Sequence, residues 1–276
     1  MGLFPYVGGD GLIYGHILSL FPASGRIDTF VEAFGGAGTI TLEVARRGLF
    51  SRIIYNDLDR ANYGSFLIIK EGRLIPVVEK YLMRFLEWAR EPELKERIRR
   101  ALKTIWKMLD KMDVRRAGLW NVIIHYLSSP GVIRNGLRFR TIDDRTFNEY
   151  LYRRVGERLR AYSRILQDVV LRNENAFDLI PALDGPNVLF YLDPPHLGRP
   201  YYRFNFNKTQ LVKLCRLLAA IKGYAILKAS PEDFRVVRTV LDWPFVSIKY
   251  QVYTTKNYST YYFFVNYKTR SLLDFF

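Results

Sequence analysis

The order of apolar and polar residues divides most of the chain into short blocks of two kinds. Residues 188–192, VLFYL, are an uncharged apolar run that begins after Gly185-Pro186 and stops at Asp193-Pro194-Pro195. The run is too short for a helix and has no polar face, so it reads as a strand buried on both sides. Prolines cannot extend a hydrogen-bonded ladder, so the backbone leaves the sheet there, with Asp193 at the carboxyl edge of a central strand. Similar runs at 29–32, 52–55, 168–171 and 224–228 predict further strands. Residues 245–253 and 260–267 predict two more, and their short connection makes them antiparallel neighbours. Between these runs apolar residues recur at three and four, which predicts helices over 12–21, 39–47, 151–166, 208–221 and 232–241. A longer helical stretch is expected over 74–113, where Leu82, Phe85, Leu86 and Ala89 are followed by Ile98, Leu102, Ile105 and Leu109. Strands alternating with helices indicate an α/β domain, and such sheets gather their ligands beyond the carboxyl ends of the strands.

Two stretches carry chemistry. Asp-Pro-Pro fixes the Asp193 carboxylate and the Pro194 carbonyl in one direction at low entropic cost, because proline sets φ in advance. Two rigid acceptors side by side suit an amine with two hydrogens, and the flat ring of His196 is placed to stack on the group bearing it. The plainer alternative is a proline-rich exit loop with a surface aspartate. The second stretch is a strand at 29–32, the turn Phe34-Gly35-Gly36-Ala37-Gly38, and a helix from Thr39. Strand, glycine turn and helix N-terminus make a cradle that admits a cofactor toward free N–H groups. The spacing is neither the dinucleotide fingerprint nor a P-loop. The next strand ends at Asn56-Asp57, an acid about twenty residues past the turn, where ribose hydroxyls are bound in such folds. A glycine-dense loop over 6–11, Tyr-Val-Gly-Gly-Asp-Gly, also invites close backbone approach.

Composition narrows the partners. The 276 residues are 49% apolar, enough for a sizeable core, and 42 Lys and Arg against 27 Asp and Glu leave +15 with a pI near 9.8. So basic a balance favours a polyanion. Arg97, Arg99, Arg100, Lys103, Lys107 and Lys111 crowd one helical stretch, as a DNA-facing or merely solvated face. Residues 130–140 place Asn135-Gly136 between two β-prone arms, the signature of a hairpin, which carries Arg134, Arg138 and Arg140. Arg115 and Arg116 lie upstream, and all five arginines offer forked donors for phosphates or guanine edges. Cys215 is the single cysteine, and His16, His125 and His196 show no ligand spacing, so no metal site is expected. No apolar run approaches the ~20 residues of a membrane span, and the start lacks a signal-peptide pattern; the chain reads as intracellular and cytoplasmic.

YVGGD, FVEAFGGAGT, YNDLD and LFYLDPPH, in that order, resemble the motif series of the alpha-group, Dam-type DNA adenine methyltransferases. Residues 221–227 and 263–267 resemble that family's later strands, while the middle of the chain matches poorly. The resemblance implies a Rossmann-like class I methyltransferase sheet, mostly parallel with an antiparallel C-terminal strand. It also implies a largely helical inserted target-recognition domain with a β-hairpin. Residues 1–72 and 162–276 would then form the catalytic domain and 73–161 the insertion. S-adenosylmethionine would be the cofactor, bound by Tyr6, Gly8, Gly9, Glu32, Phe34, Gly35, Gly36, Gly38, Asp57, Asn175 and Asp193, with Asp178 the alternative to Asn175. Double-stranded DNA would be the partner, adenine N6 the acceptor, and a monomer or weak dimer the acting form. Asp193, Pro194, Pro195 and His196 would carry catalysis, and Arg199 and Tyr202 would belong to a segment that orders over a flipped base. Three departures stand out: His196 for the family's tyrosine, Asp10 for its lysine, and Asn175 for its acid. Imidazole stacks well only when neutral, which predicts activity falling on mild acidification. A DNA-binding relative with weak or lost catalysis, and methylation of cytosine N4 or RNA, remain open at this point.

Overall fold

The structure is a computed structural model and describes residues 2–5, 10–22, 27–88, 91–127, 154–199, 202–251 and 258–268. In chain order the elements are α1 (Tyr14–Ser19), β1 (Thr29–Glu32), α2 (Thr39–Arg47), β2 (Arg52–Asn56), α3 (Arg60–Glu71), α4 (Ile75–Trp88), α5 (Pro92–Met108) and α6 (Val114–Leu127). Then follow α7 (Val155–Ile165), β3 (Val169–Arg172), α8 (Ala176–Leu183), β4 (Val188–Leu192), α9 (Lys208–Leu218), β5 (Tyr224–Ala229), α10 (Pro231–Val237), β6 (Phe245–Gln251) and β7 (Tyr258–Val265).

The strands form one sheet in the order β3-β2-β1-β4-β5-β7-β6, with β7 reversed against both neighbours. Every residue of β1 and of β4 is buried, as expected of parallel strands covered on both faces. Their registers align Val31 with Ile54 on one side and Phe190 on the other. Alternation then splits the core. Phe30, Tyr55, Leu189 and Tyr191 face the layer of α1 to α7, whereas Val31, Ile54, Phe190 and Leu192 face α8 to α10. This is the mostly parallel, Rossmann-like sheet that the resemblance implies, with the order reversing between β1 and β4.

Helix α6 sits so close on α3 that a Cβ on Gly118 would lie 2.1 Å from the carbonyl carbon of Gly64. Asn121 Nδ2 donates to Asn62 Oδ1 at 3.1 Å across the same contact. Residues of α4, α6 and α7, among them Leu82, Ile123 and Leu159, join the same core as the sheet.

The expected helix over 74–113 is divided. Pro92 opens α5 at its first turn and Glu91 is extended, because a residue before proline avoids the helical region and proline has no N–H to continue a helix. The expected helix over 12–21 begins as a 3-10 turn, Asp10–Leu12, and only Tyr14–Ser19 is α-helical. Helices α3, α6 and α8 lie in stretches whose apolar spacing is less regular; α3 and α8 are set instead by Asp59 and Asn175, whose side chains cap Ala61 N and Phe177 N. The hairpin at 130–140, with Arg134, Asn135, Arg138 and Arg140, lies outside the described residues, as do Tyr6, Gly8 and Gly9.

Candidate active site

A cleft of about 800 Å³, counting the part open to solvent, lies beyond the carboxyl ends of β1, β2 and β4, where the strand order reverses. Its wall takes the glycine turn from Phe34 to Gly38, the acids Glu32, Asp57 and Asp59, and, from the far side, Asp193 and Pro195. The two stretches singled out in the sequence therefore meet, because β1 and β4 are hydrogen-bonded neighbours whose ends emerge together. Tyr202, Arg203, Phe204 and Phe206 close the cleft from the segment after β4.

The turn is shaped from beneath. A Cβ on Gly35 would strike the Tyr55 ring at 2.1 Å, and one on Gly38, where φ is +60°, the Phe66 ring at 2.4 Å. Glycine is required there by packing. Asp57 is fixed by the N–H groups of Gly36 and Asp59, both at 2.7 Å, and by Asn62 Nδ2 at 3.2 Å. Burial, with Asp59 nearby, pushes its carboxyl up to about 7. Glu32 accepts from Thr41 N at 2.9 Å and from the Thr41 hydroxyl. Burial outweighs those bonds and pushes it up to about 8.

Behind Asp193 lies a buried ion cluster with no counterpart in the sequence reading. Lys228, fully inaccessible on β5, donates to Asp193 Oδ2 at 2.8 Å and to Asp10 Oδ1 at 2.6 Å. Tyr191 donates to Asp10 Oδ2 at 2.5 Å, and the Tyr261 ring lies 4.4 Å from the Lys228 ammonium. Burial opposes that charge, but the two carboxylates outweigh it and hold Lys228 well above the usual lysine value. Asp193 Oδ1 has no hydrogen-bond partner among the described residues. A lone lysine near the end of the apolar run Ala225-Ile226-Leu227 was the available signal, since a charge inside a buried strand needs partners.

His196 is buried and does not line the cleft. Its Nδ1 is 2.6 Å from Asp233 Oδ2, its Nε2 is 3.5 Å from Asp193 Oδ1, and its ring stacks on Tyr261. Asp233 also accepts from Leu197 N and Ser230 N as part of the α10 capping box. Burial opposes its charge, yet His196 and these N–H groups hold it below the usual carboxylate range. The Ser230-Pro231-Glu232-Asp233 run was the signal for that cap. Pro194 is buried. Asn175 lies away from the cleft wall, its side chain engaged as the α8 cap, and Asp178 follows in the first turn of that helix.

Of the basic residues, Arg199 donates to the Tyr261 hydroxyl at 3.2 Å. Arg115 pairs with Glu71 at 2.5 Å and Arg116 is exposed beside it. Arg203 lines the cleft and clasps Asp59 and, at 2.9 Å, Asp110. It thereby ties the segment over the cleft both to α3 and to the turn after α5. Among the described residues no group of three or more His, Cys, Asp or Glu side chains is arranged to hold a metal ion, and no helix is long and apolar enough to cross a membrane.

Among solved structures, the rRNA methyltransferase aviRa from Streptomyces viridochromogenes is similar at 13% identity over 92% of this chain and 82% of that one, with a TM-score of 0.36. No curated protein sequence matches. The family model of the D12 class N6 adenine-specific DNA methyltransferases matches residues 6–222, most of the chain. With that match, and with its glycine turn and Asp-Pro-Pro corner facing one cleft, the chain belongs to the D12 class of N6 adenine-specific DNA methyltransferases.

Proposed function

We propose that the methyl donor of this DNA adenine methyltransferase is S-adenosylmethionine and that Asp193, with the Pro194 carbonyl, receives the two hydrogens of the adenine amine. The observation that carries this reading is the single cleft lined by both Asp193 and the glycine turn. Its wall suits the donor chemically: Asp57 for ribose hydroxyls, Phe34 and Phe206 for the adenine ring, and Asp10, Glu32 and Asp193 as hydrogen-bond acceptors for the methionyl amine. When bound, that donor supplies a methyl group on a sulfonium centre that is already activated.

The residues of the chain do the rest by position and charge. The adenine amine is a weak nucleophile because its lone pair is shared with the ring. Asp193 accepts one N–H and the Pro194 carbonyl the other, which draws the lone pair out of conjugation and aims it into the cleft. Asp193 then holds the proton the amine gives up. A base inside a duplex cannot reach this corner, so it must be flipped, at a cost of a few kcal/mol that contacts in the cleft offset. Pro195, Tyr202 and Phe204 stand at the wall where the flipped ring would pack.

We assign residues 1–72 and 162–276 to catalysis and 73–161 to target recognition, with Arg115, Arg116 and the arginines of 130–140 facing the duplex. The acting form is a monomer or weak dimer, which sedimentation at working concentration checks. The reading is tested with tritiated S-adenosylmethionine and an adenine-rich duplex. Digestion of the product should yield N6-methyladenine. Asp193→Ala should lower incorporation by about a hundredfold or more even at saturating donor; undiminished incorporation would refute the role given to Asp193. Methylome sequencing of a host expressing the chain then reads its target sequence.

A further inference from the structure

The ion cluster behind the catalytic corner has a feature that packing alone does not require. Lys228 Nζ bridges Asp10 and Asp193 at 2.6 and 2.8 Å with its side chain wholly inaccessible. It engages Oδ2 of Asp193, a residue that lines the cleft, while Oδ1 is buried 3.5 Å from His196 Nε2. Asp10 is itself anchored by the Tyr191 hydroxyl at 2.5 Å. A buried ion pair stabilises a fold weakly, because desolvation consumes most of its attraction. What such an arrangement does well is to fix geometry and ionisation.

We propose that Lys228 is a positioning residue for methyl transfer: tethered by Asp10, its ammonium holds the Asp193 carboxylate ionised and, through Oδ2, fixes it in one orientation at the cleft wall. This rests on the role proposed above for Asp193. Asp10 stands where the resemblance leads one to expect a lysine, and the cation at this corner comes instead from β5, with Asp10 as its counter-ion. The other ionisable groups facing the cluster are Glu32 from β1, Tyr191 from β4, His196 and Tyr202 after β4, and Tyr250 and Tyr261 from β6 and β7. Burial raises the phenols of Tyr191, Tyr202 and Tyr250 above their ordinary value, so these three stay neutral through the assay range. Burial pushes Glu32 up to about 8 and the carboxylates of Asp10 and Asp193 add to that, so the acidic limb of the pH profile is compared with and without Glu32→Gln.

The test is single-turnover methyl transfer to a duplex oligonucleotide at saturating S-adenosylmethionine, followed from pH 5.5 to 9 in the full chain. Lys228→Met leaves Asp193 beside Asp10 with no cation between them, two carboxyls that can then ionise only against each other and against the burial that already pushes Asp10 up. We expect a rate lower by about tenfold or more at neutral pH, with the acidic limb displaced upward by about 1–3 pH units. Asp10→Asn combined with Lys228→Met removes the like charge, so the limb should move part of the way back while staying above that of the natural chain. A Lys228→Met rate that is unchanged, or lowered equally at every pH, overturns the proposal. If the single variant does not fold, the double variant decides by the same limb. Failure of both to fold makes Lys228 purely structural and overturns it too. Asp193→Ala separates the two readings: full activity there sinks the role of Asp193, whereas an inactive Asp193→Ala with a pH-indifferent Lys228→Met sinks only that of Lys228.

Discussion

Gly118→Ala tests how the helices after α3 are held to the catalytic sheet. The added Cβ would lie 2.1 Å from the Gly64 carbonyl carbon, 2.3 Å from its oxygen and 2.5 Å from Ser65 N. Ordinary carbon contacts begin near ~3.5 Å, and all three obstacles are backbone, so α3 and α6 must part by about 1 Å. Overpacking of this kind costs about 1–3 kcal/mol. Parting also stretches the 3.1 Å bonds from Asn121 Nδ2 to Asn62 Oδ1 and to Ser65 Oγ, and the gain in helix propensity returns less than about 1 kcal/mol. With the stretched bonds offsetting that return, the net loss of about 1–3 kcal/mol corresponds to a melting temperature lower by roughly 2–10 °C in a chain of this size. Because Asn62 in turn holds Asp57 Oδ2, affinity for the methyl donor should fall as well. Calorimetry of unfolding and of donor binding reads both effects. Gly15→Ala is the control, since nothing lies within 4 Å of its Cβ position; it should be neutral or slightly stabilising. Gly118→Ala melting within a degree of the natural chain, or alongside Gly15→Ala, would refute the reasoning.

Glu32 and Asp57, pushed up to about 8 and about 7 by burial, bind protons more tightly folded than unfolded. Their stabilising contribution is complete below their ordinary values near 4 and lost as pH rises through 7 and 8. The melting temperature should therefore fall from pH 6 to 9 and Glu32→Gln should flatten the fall; a rise over that range contradicts this. His196→Tyr, which the family pattern alone would favour, should destabilise by about 1–3 kcal/mol, because it deprives buried Asp233 of its 2.6 Å partner; an unchanged melting curve counts against it. On α5, Arg97, Arg100, Lys103 and Lys107 are exposed. Replacing all four by Gln should lower the slope of log affinity against log salt by about 0.9 for each phosphate no longer neutralised, and an unchanged slope would show that this face does not meet DNA.

Much of the fold was legible because the central strands are covered on both faces and so appear as uninterrupted apolar runs. The run at 188–192 and the breaker Asp193-Pro194-Pro195 mark the end of β4 to the residue. Capping was less legible: Asp59, Asn175 and Ser230 open helices whose apolar spacing is weak or short, and Pro92 divides a stretch whose periodicity runs on across it. Of the candidate site, the glycine turn, Asp57 and Asp193 stood out because each follows a strand directly and so must emerge at one edge of the sheet.

The sequence by itself determined the α/β class, the places where the central strands end, and the rigid acidic corner at the end of β4, since these follow from local periodicity and from the fixed φ of proline. Only the tertiary structure decided which charges meet. Asp10, Asp193 and Lys228 come from segments far apart in the chain, as do His196 and Asp233, and each was ambiguous alone. Pairing across a sheet depends on strand order and register, which leave no trace in the spacing of residues along one strand. The buried cation thus becomes visible as the partner of the Asp193 carboxylate only when β4 and β5 lie side by side.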